Sequence, residues 1–271
     1  MKTFVSAGLI VVLSFVVAGC AVNPVTGQRK LSLIGESQEI QMGAEAAGEF
    51  EQQFGGQVAN EQLQQYVAEL GMKLANISDR PKLPWSFAVL NSDIPNAFAL
   101  PGGKVFVTAG LMNCMTNERQ LASVLGHEIG HVCAKHNVDG MQRQMGVEAF
   151  KVLVQQMSGN ESYGTAAQVA GTMAVLKYGR DDEFEADKLG IKYMAKAGYN
   201  PWGMVELLQF LVSLSGEEAS RLEAFFQTHP PSTDRVKAAQ DIVTKSYATQ
   251  AADTPDPNTA RFLQMRALCP K

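Results

Sequence analysis

His127-Glu128-Ile129-Gly130-His131, an H-E-x-x-H sequence within a helical stretch, decides how the rest of the chain is read. Residues four apart on an α-helix share a face, so both imidazoles reach one metal ion while Glu128, about 100° round from His127, flanks it. Zinc takes neutral nitrogen, thiolate or carboxylate ligands. A catalytic site uses three of them and leaves one position for water, whose proton the intervening Glu can accept. The pattern therefore points to zinc hydrolase chemistry and calls for a third ligand on another helix.

Glu183-Phe184-Glu185-Ala186-Asp187 supplies that helix. Glu183 and Asp187, four apart, share a face: Glu183 can bind zinc while Asp187 accepts a hydrogen bond from the outer nitrogen of a ligating His, fixing its tautomer. On its own E-x-x-x-D is common on solvated helices; the preceding H-E-x-x-H gives it weight. Two neighbours of the motif stay outside the expected site. Cys133 is roughly 200° round from His131 and reads as a buried thiol or disulfide partner, and His136, five residues on, is rotated off the metal face.

Upstream, Asn96–Leu100 and Lys104–Thr108 flank Pro101-Gly102-Gly103, a β-hairpin signature in which Pro fixes φ and Gly permits positive values. Trp85–Leu90 reads as a further short strand. Thr116 is placed to cap a helix from Asn117 to about His136, so the metal motif follows a small sheet. Residues 36–54 and 59–78 read as helices, the second carrying a Leu63, Val67, Leu70, Leu74, Ile77 stripe. Downstream, two helical segments run from Met141 to Tyr178 with a break near Ser158-Gly159-Asn160, and their polar residues, Glu148, Lys151 and Gln168 among them, argue against membrane spans. A helix from Asp181 ends at Gly198, Pro201 opens the next, Thr228-His229-Pro230-Pro231 is loop, and a helix begins near Ser232. A polar stretch, Asp253–Asn258, precedes a final short helix.

The 271 residues are 46% hydrophobic with a formal net charge of −4, which suits an ordinary core, makes disorder unlikely on composition and gives no basic footprint for nucleic acid. Lys2 and the apolar run Phe4–Ala18 have the form of a signal peptide, ending in Val17-Ala18-Gly19-Cys20. Small residues before a Cys resemble the lipobox of bacterial lipoproteins, so Cys20 is the expected lipidation site and first mature residue. Ala21 and Val22, by resemblance to enterobacterial sorting, favour the outer membrane. Export permits disulfides, and Cys114, Cys133 and Cys269 then allow one intramolecular bridge whose pairing the sequence does not specify.

Taken together, His127–His131, Glu183 and Asp187, preceded by Asn96–Gly103 and followed by Thr228-His229-Pro230 and Arg235, resemble the membrane-associated gluzincin zinc metallopeptidases. This is the family of the HtpX heat-shock protease, the CAAX prenyl endopeptidases and the periplasmic β-barrel-assembly-enhancing protease. Asn23–Gly27 is similar to its secreted lipoprotein members. Only about thirty residues follow the last motif, so the long C-terminal repeat domain of the barrel-assembly enhancer is not carried over. The resemblance implies one Zn2+ per chain held by His127, His131 and Glu183, with Glu128 as general base. Glu185, two residues from Asp187 and on another face, is the rival third ligand. His229 would approach the zinc, either filling its fourth position in a resting enzyme or donating to the oxyanion. Arg235 would stabilise that oxyanion or a nearby carboxylate. Asn96 and Ala97 would lie along an open sheet edge to which an extended substrate adds.

The expectation is a mainly helical α+β, zincin-like fold: signal peptide 1–19, tether 20–35, metallopeptidase domain 36–250 and C-terminal tail 251–271. The function expected is that of a lipid-anchored zinc endopeptidase on the periplasmic side of the outer membrane, acting on misfolded or unassembled envelope polypeptides. A chaperone-like binder of unfolded outer-membrane proteins, with a zinc site plugged by His229, is the alternative.

Overall fold

The computed structural model of the protein describes residues 20–22, 24–25, 27, 29–31, 33–157, 162–214 and 216–271. The signal-peptide segment 1–19, the Cys20 side chain and the break at Ser158-Gly159-Asn160 lie outside the described residues. The expected tether doubles back on itself: Cys20–Val22 (β1) pairs antiparallel with Arg29–Leu31 (β2), Cys20 opposite Leu31. Gly27, at φ 69, supplies the left-handed residue that such a reversal needs.

Helices Glu36–Gln53 (α1) and Glu61–Ala75 (α2) follow, the second capped by Asn60, whose side chain accepts the Leu63 amide. Ser86–Leu90 (β3), Ala97–Leu100 (β4) and Lys104–Thr108 (β5) form one mixed sheet in the order β3-β5-β4. β4 and β5 are the expected hairpin; β3 runs parallel to β5.

Successive side chains of these strands leave on opposite faces, and both faces are apolar. Phe87, Val89, Ala97, Val105 and Val107 join one buried cluster; Ala88, Leu90, Phe98, Leu100 and Phe106 join another. Helices therefore cover the sheet on both sides. The second cluster is completed by Met42, Ala46 and Phe50 of α1 and by residues of His136–Met145 (α5), Val147–Met157 (α6) and Ser162–Ala174 (α7), Phe150 and Val169 among them.

The first cluster holds the site. After the short helix Ala109–Cys114 (α3) comes Glu118–Cys133 (α4), the metal-motif helix, buried along its whole length. Its cap is Asn117 rather than Thr116. The Asn117 side-chain oxygen Oδ1 accepts the Gln120 amide, while Thr116 is occupied with the Gln120 side chain. The helix also ends earlier than expected, at Cys133, because Lys135 adopts φ 64 and starts α5 in a new direction.

Against α4 packs Arg180–Lys196 (α8), which carries Glu183 and Asp187. Glycine permits the approach: a Cβ on Gly190 would stand 3.1 Å from the His127 amide nitrogen, and one on Gly130 would stand 3.0 Å from the Ala186 carbonyl oxygen. Trp202–Ser213 (α9) packs against both helices of the pair and Thr233–Ser246 (α12) against α8 and α9, with Gly216–Arg221 (α10) and Glu223–Thr228 (α11) lying between them in the chain. Thr259–Arg266 (α13) brings the C-terminal segment back onto α2 and α4. Among the described residues no helix is long and apolar enough to cross a membrane.

Candidate metal centre

One turn of α4 sets His127 and His131 side by side, with their Nε2 atoms 3.0 Å apart. Glu183 reaches them from the first turn of α8, Oε1 lying 3.2 Å from His131 Nε2 and Oε2 3.6 Å from His127 Nε2. His229, at the end of α11, points Nδ1 into the same space, 3.1 Å from Glu183 Oε1 and 3.3 Å from His127 Nε2. Four donor atoms thus converge within 4.8 Å of one another, all on buried residues.

Ligands about 2.0–2.1 Å from a tetrahedral zinc stand about 3.3 Å apart, so the spacing and the nitrogen and carboxylate donors fit that ion. Glu183 is buried with its two oxygens turned to different cationic or metal-ligating groups, Oε1 to His131 and His229 and Oε2 to Arg235. The chain itself supplies partial compensation. Burial pushes the Glu183 carboxyl up, but His229, Arg235 and His127 outweigh it and hold the group well below the usual carboxylate range.

Each α4 imidazole has a partner at its outer nitrogen. His127 Nδ1 lies 3.0 Å from Asp187 Oδ1, the contact expected from the E-x-x-x-D spacing. Arg235 then grips Asp187 through two 2.7 Å hydrogen bonds and reaches Glu183 Oε2 at 2.6 Å and the Pro230 carbonyl at 3.1 Å. Its donors are spent on carboxylates and on the His229 loop, so of the roles considered for Arg235 the carboxylate partner is the one the geometry displays.

His131 Nδ1 faces His136 Nδ1 at 3.0 Å, and His136 Nε2 faces Glu185 Oε2 at 3.2 Å. His136 stays outside the donor cluster, as expected, but Lys135 breaks the helix and brings its ring against the outer nitrogen of His131. Glu185 stands behind His136 while Glu183 stands among the donor atoms. Tyr178 also went unnoticed in the sequence; its ring stacks on His131 at 3.8 Å between centroids. Only a single tyrosine in an irregular stretch marks it, and periodicity gives no signal there. Cys133 is buried beside Tyr193 and Ser78, away from the donor cluster, and Cys114, Cys133 and Cys269 are unbridged.

Glu128 lies beside the cluster without joining it. Oε1 is 3.5 Å from His229 Nε2, and Oε2 is buried with no partner. Burial raises its pKa against the pull of His229 and His127, which makes the carboxylate a stronger base than one in water. The cavity that touches Glu128, lined by His127, Val124, Leu208, Phe225 and Arg235 among others, measures about 10 Å³. That is the size of one water.

β4 lies at one edge of the three-stranded sheet, and Asn96 and Ala97 are both buried. Thr108 donates its amide to the Asn96 carbonyl, so by antiparallel alternation the polar groups of Ala97 and Ala99 face outward. Two side chains already meet them: Asn96 Oδ1 accepts the Ala97 amide at 2.9 Å, and Asn137 Nδ2 donates to the Ala99 carbonyl.

A helix-borne His-Glu-His triplet facing a Glu and an Asp on a second helix is a metallopeptidase constellation, and the sequence comparison agrees: residues 61–243 match the model of peptidase family M48. The chain belongs to peptidase family M48. Among relatives of this M48 chain, the β-barrel assembly-enhancing protease of Escherichia coli K12 is 33% identical over 190 residues, covering 66% of this chain and 38% of the relative. Metalloprotease YcaL of the same organism is 33% identical over 163 residues, covering 59% of the chain and 63% of the relative. The mitochondrial metalloendopeptidase OMA1 of Schizosaccharomyces pombe is 27% identical over 223 residues, covering 80% of the chain and 65% of the relative. In each case the match spans less than two thirds of the relative's own length.

Proposed function

We propose that this M48 chain is a zinc-dependent endopeptidase, lipid-anchored through Cys20 on the periplasmic side of the outer membrane, that hydrolyses misfolded or unassembled envelope proteins. The observation that carries the chemistry is the four-donor cluster with the buried Glu128 carboxylate beside it, its Oε2 without a hydrogen-bond partner. The envelope assignment is supported by the lipobox-like Val17–Cys20 sequence and by relatives named for β-barrel assembly.

In this reading His127, His131 and Glu183 hold one Zn2+. When bound there, the ion would supply Lewis acidity and lower the pKa of a water towards about 7. Glu128 accepts the proton from the attacking water, a C–O bond forms at the peptide carbonyl, and Glu128 returns the proton to the amine as the C–N bond breaks. Asp187 and Arg235 keep His127 in the tautomer that presents Nε2. An extended substrate adds to β4 along Asn96 and Ala97, displacing the amides of Asn96 and Asn137 from the outward groups. His229 fills the fourth donor position, so the enzyme rests latent and opens by withdrawing the Thr228–Pro231 loop.

Cleavage of casein and of an unfolded porin, with and without chelator, tests this proposal. Glu128→Gln should keep zinc and lose about 10²–10⁴-fold in rate, because it removes the base and no ligand. Cleavage by the variant at the wild-type rate sinks the assignment. The anchor is tested separately. Cys20→Ser should abolish fatty-acid labelling, and labelling that survives the substitution removes the lipoprotein reading.

The seating of His229 also supports a second reading, a chaperone-like binder of unfolded outer-membrane proteins with a permanently plugged site. It is favoured if purified protein suppresses aggregation equally well with Glu128→Gln and cleaves nothing under any condition.

A further inference from the structure

We infer that His136 is a positioning residue of the metal centre, joining His131 to Glu185 in an imidazole–imidazole–carboxylate chain that fixes the orientation and tautomer of the second α4 ligand. The inference rests on the zinc-site part of the proposed function and on none of its peptidase part.

His131 turns Nε2 towards the other donor atoms, so Nδ1 is its outer nitrogen and carries the proton when Nε2 binds a cation. That N–H has one partner in reach, His136 Nδ1 at 3.0 Å. Acting as acceptor there, His136 carries its own proton on Nε2, and Nε2 faces Glu185 Oε2 at 3.2 Å. Each hydrogen then lies between one donor and one acceptor. Asp182 Oδ1 is farther from His136 Nε2, at 3.6 Å, so the nearer carboxylate is that of Glu185.

The backbone departs from regular helix to make this contact. Continuing α4 would carry residue 136 about 140° round from His131, pointing elsewhere. Lys135 instead takes a left-handed φ of 64, unusual for a residue with a Cβ, and its Nζ is held 3.2 Å from Glu39 Oε2. The turn seats a 3% exposed imidazole behind His131. A buried histidine with both ring nitrogens engaged, reached through a strained residue, is a contact the fold maintains specifically. The two ligands of α4 are thus supported differently: His127 by Asp187 directly, His131 through a second imidazole.

Zinc affinity of the full-length protein, measured by competition with a chromophoric chelator, tests this without reference to proteolysis. His136→Ala should weaken zinc binding about 10–100-fold, and Glu185→Gln by a smaller factor. The visible spectrum of the cobalt-substituted protein should change with His136→Ala, reporting an altered ligand geometry. His136→Gln should recover most of the affinity, because its carbonyl accepts from His131 and its amide donates to Glu185. The glutamine variant also carries the test if the alanine variant does not fold. Wild-type zinc affinity and cobalt spectrum in His136→Ala overturn the inference, as does a glutamine variant no better than alanine. Tight zinc binding by a wild-type protein that cleaves nothing removes the peptidase reading and leaves this one standing.

Discussion

His229 presents two nitrogens to two different groups, Nδ1 to the metal donors and Nε2 to Glu128. An oxyanion donor would point at the place of a substrate carbonyl, whereas Nδ1 here points among the other donor atoms, as the proposed latent state requires. His229→Ala should therefore raise basal peptide cleavage by the zinc-loaded protein, since nothing then competes at the fourth position. A loss of about 10²–10³-fold in turnover at full zinc content would instead establish an oxyanion role. At this scale the sequence was informative wherever residues sit at helical spacing: His127, His131, Glu183 and Asp187 all meet as a four-residue repeat predicts. It was uninformative where irregular backbone sets direction. His136 could not be placed without knowing that Lys135 turns left-handed, and Tyr178 is brought to His131 by a segment without periodicity.

The pairing of α4 with α8 converts two local motifs into one site. Gly190 is where it is tightest: a Cβ there would meet the His127 amide at 3.1 Å, the Gly126 carbonyl carbon at 3.2 Å and the Met204 methyl at 2.7 Å. The methionine can move aside, but the α4 backbone can yield only by carrying His127 with it. Gly190→Ala should cost roughly 1–3 kcal/mol from overpacking, seen as a lower urea midpoint. Zinc affinity should fall in the same variant, because Glu183 and His127 sit on the two surfaces forced apart. Wild-type stability together with wild-type affinity would show that the interface has slack. The elements themselves were legible, since hairpin, stripe and caps have local causes; that Gly126 meets Gly190 and Gly130 meets Ala186 across an interface is a long-range fact that no local pattern contains.

Over the whole molecule, two apolar clusters separated by one three-stranded sheet hold the site, which lies in the larger of them. The C-terminal segment, expected as a tail, is part of that cluster. Asp256 Oδ2 accepts the Arg119 amide in the first turn of α4, Arg119 donates to the Thr254 carbonyl, and Arg266 donates to the Met115 carbonyl. Phe262, Met265 and Cys269 are buried at spacings of three and four, a helical stripe that was present in the sequence but overshadowed by the polar, proline-containing stretch before it. The segment therefore clamps the N-terminal end of the metal-motif helix. Phe262→Ala should cost about 3–5 kcal/mol, the range for emptying a fully buried aromatic site. For a domain of this size that lowers the melting temperature by roughly 10 °C. Leu263→Ala, one residue along and 38% exposed, is the control and should change little. Both variants should be measured with chelator present, so that metal binding does not mask the difference. Equal melting temperatures for the two variants would mean that the segment is a dispensable tail after all, and that the N-terminal end of α4 is held without it, by Tyr66, Tyr199 and Glu206.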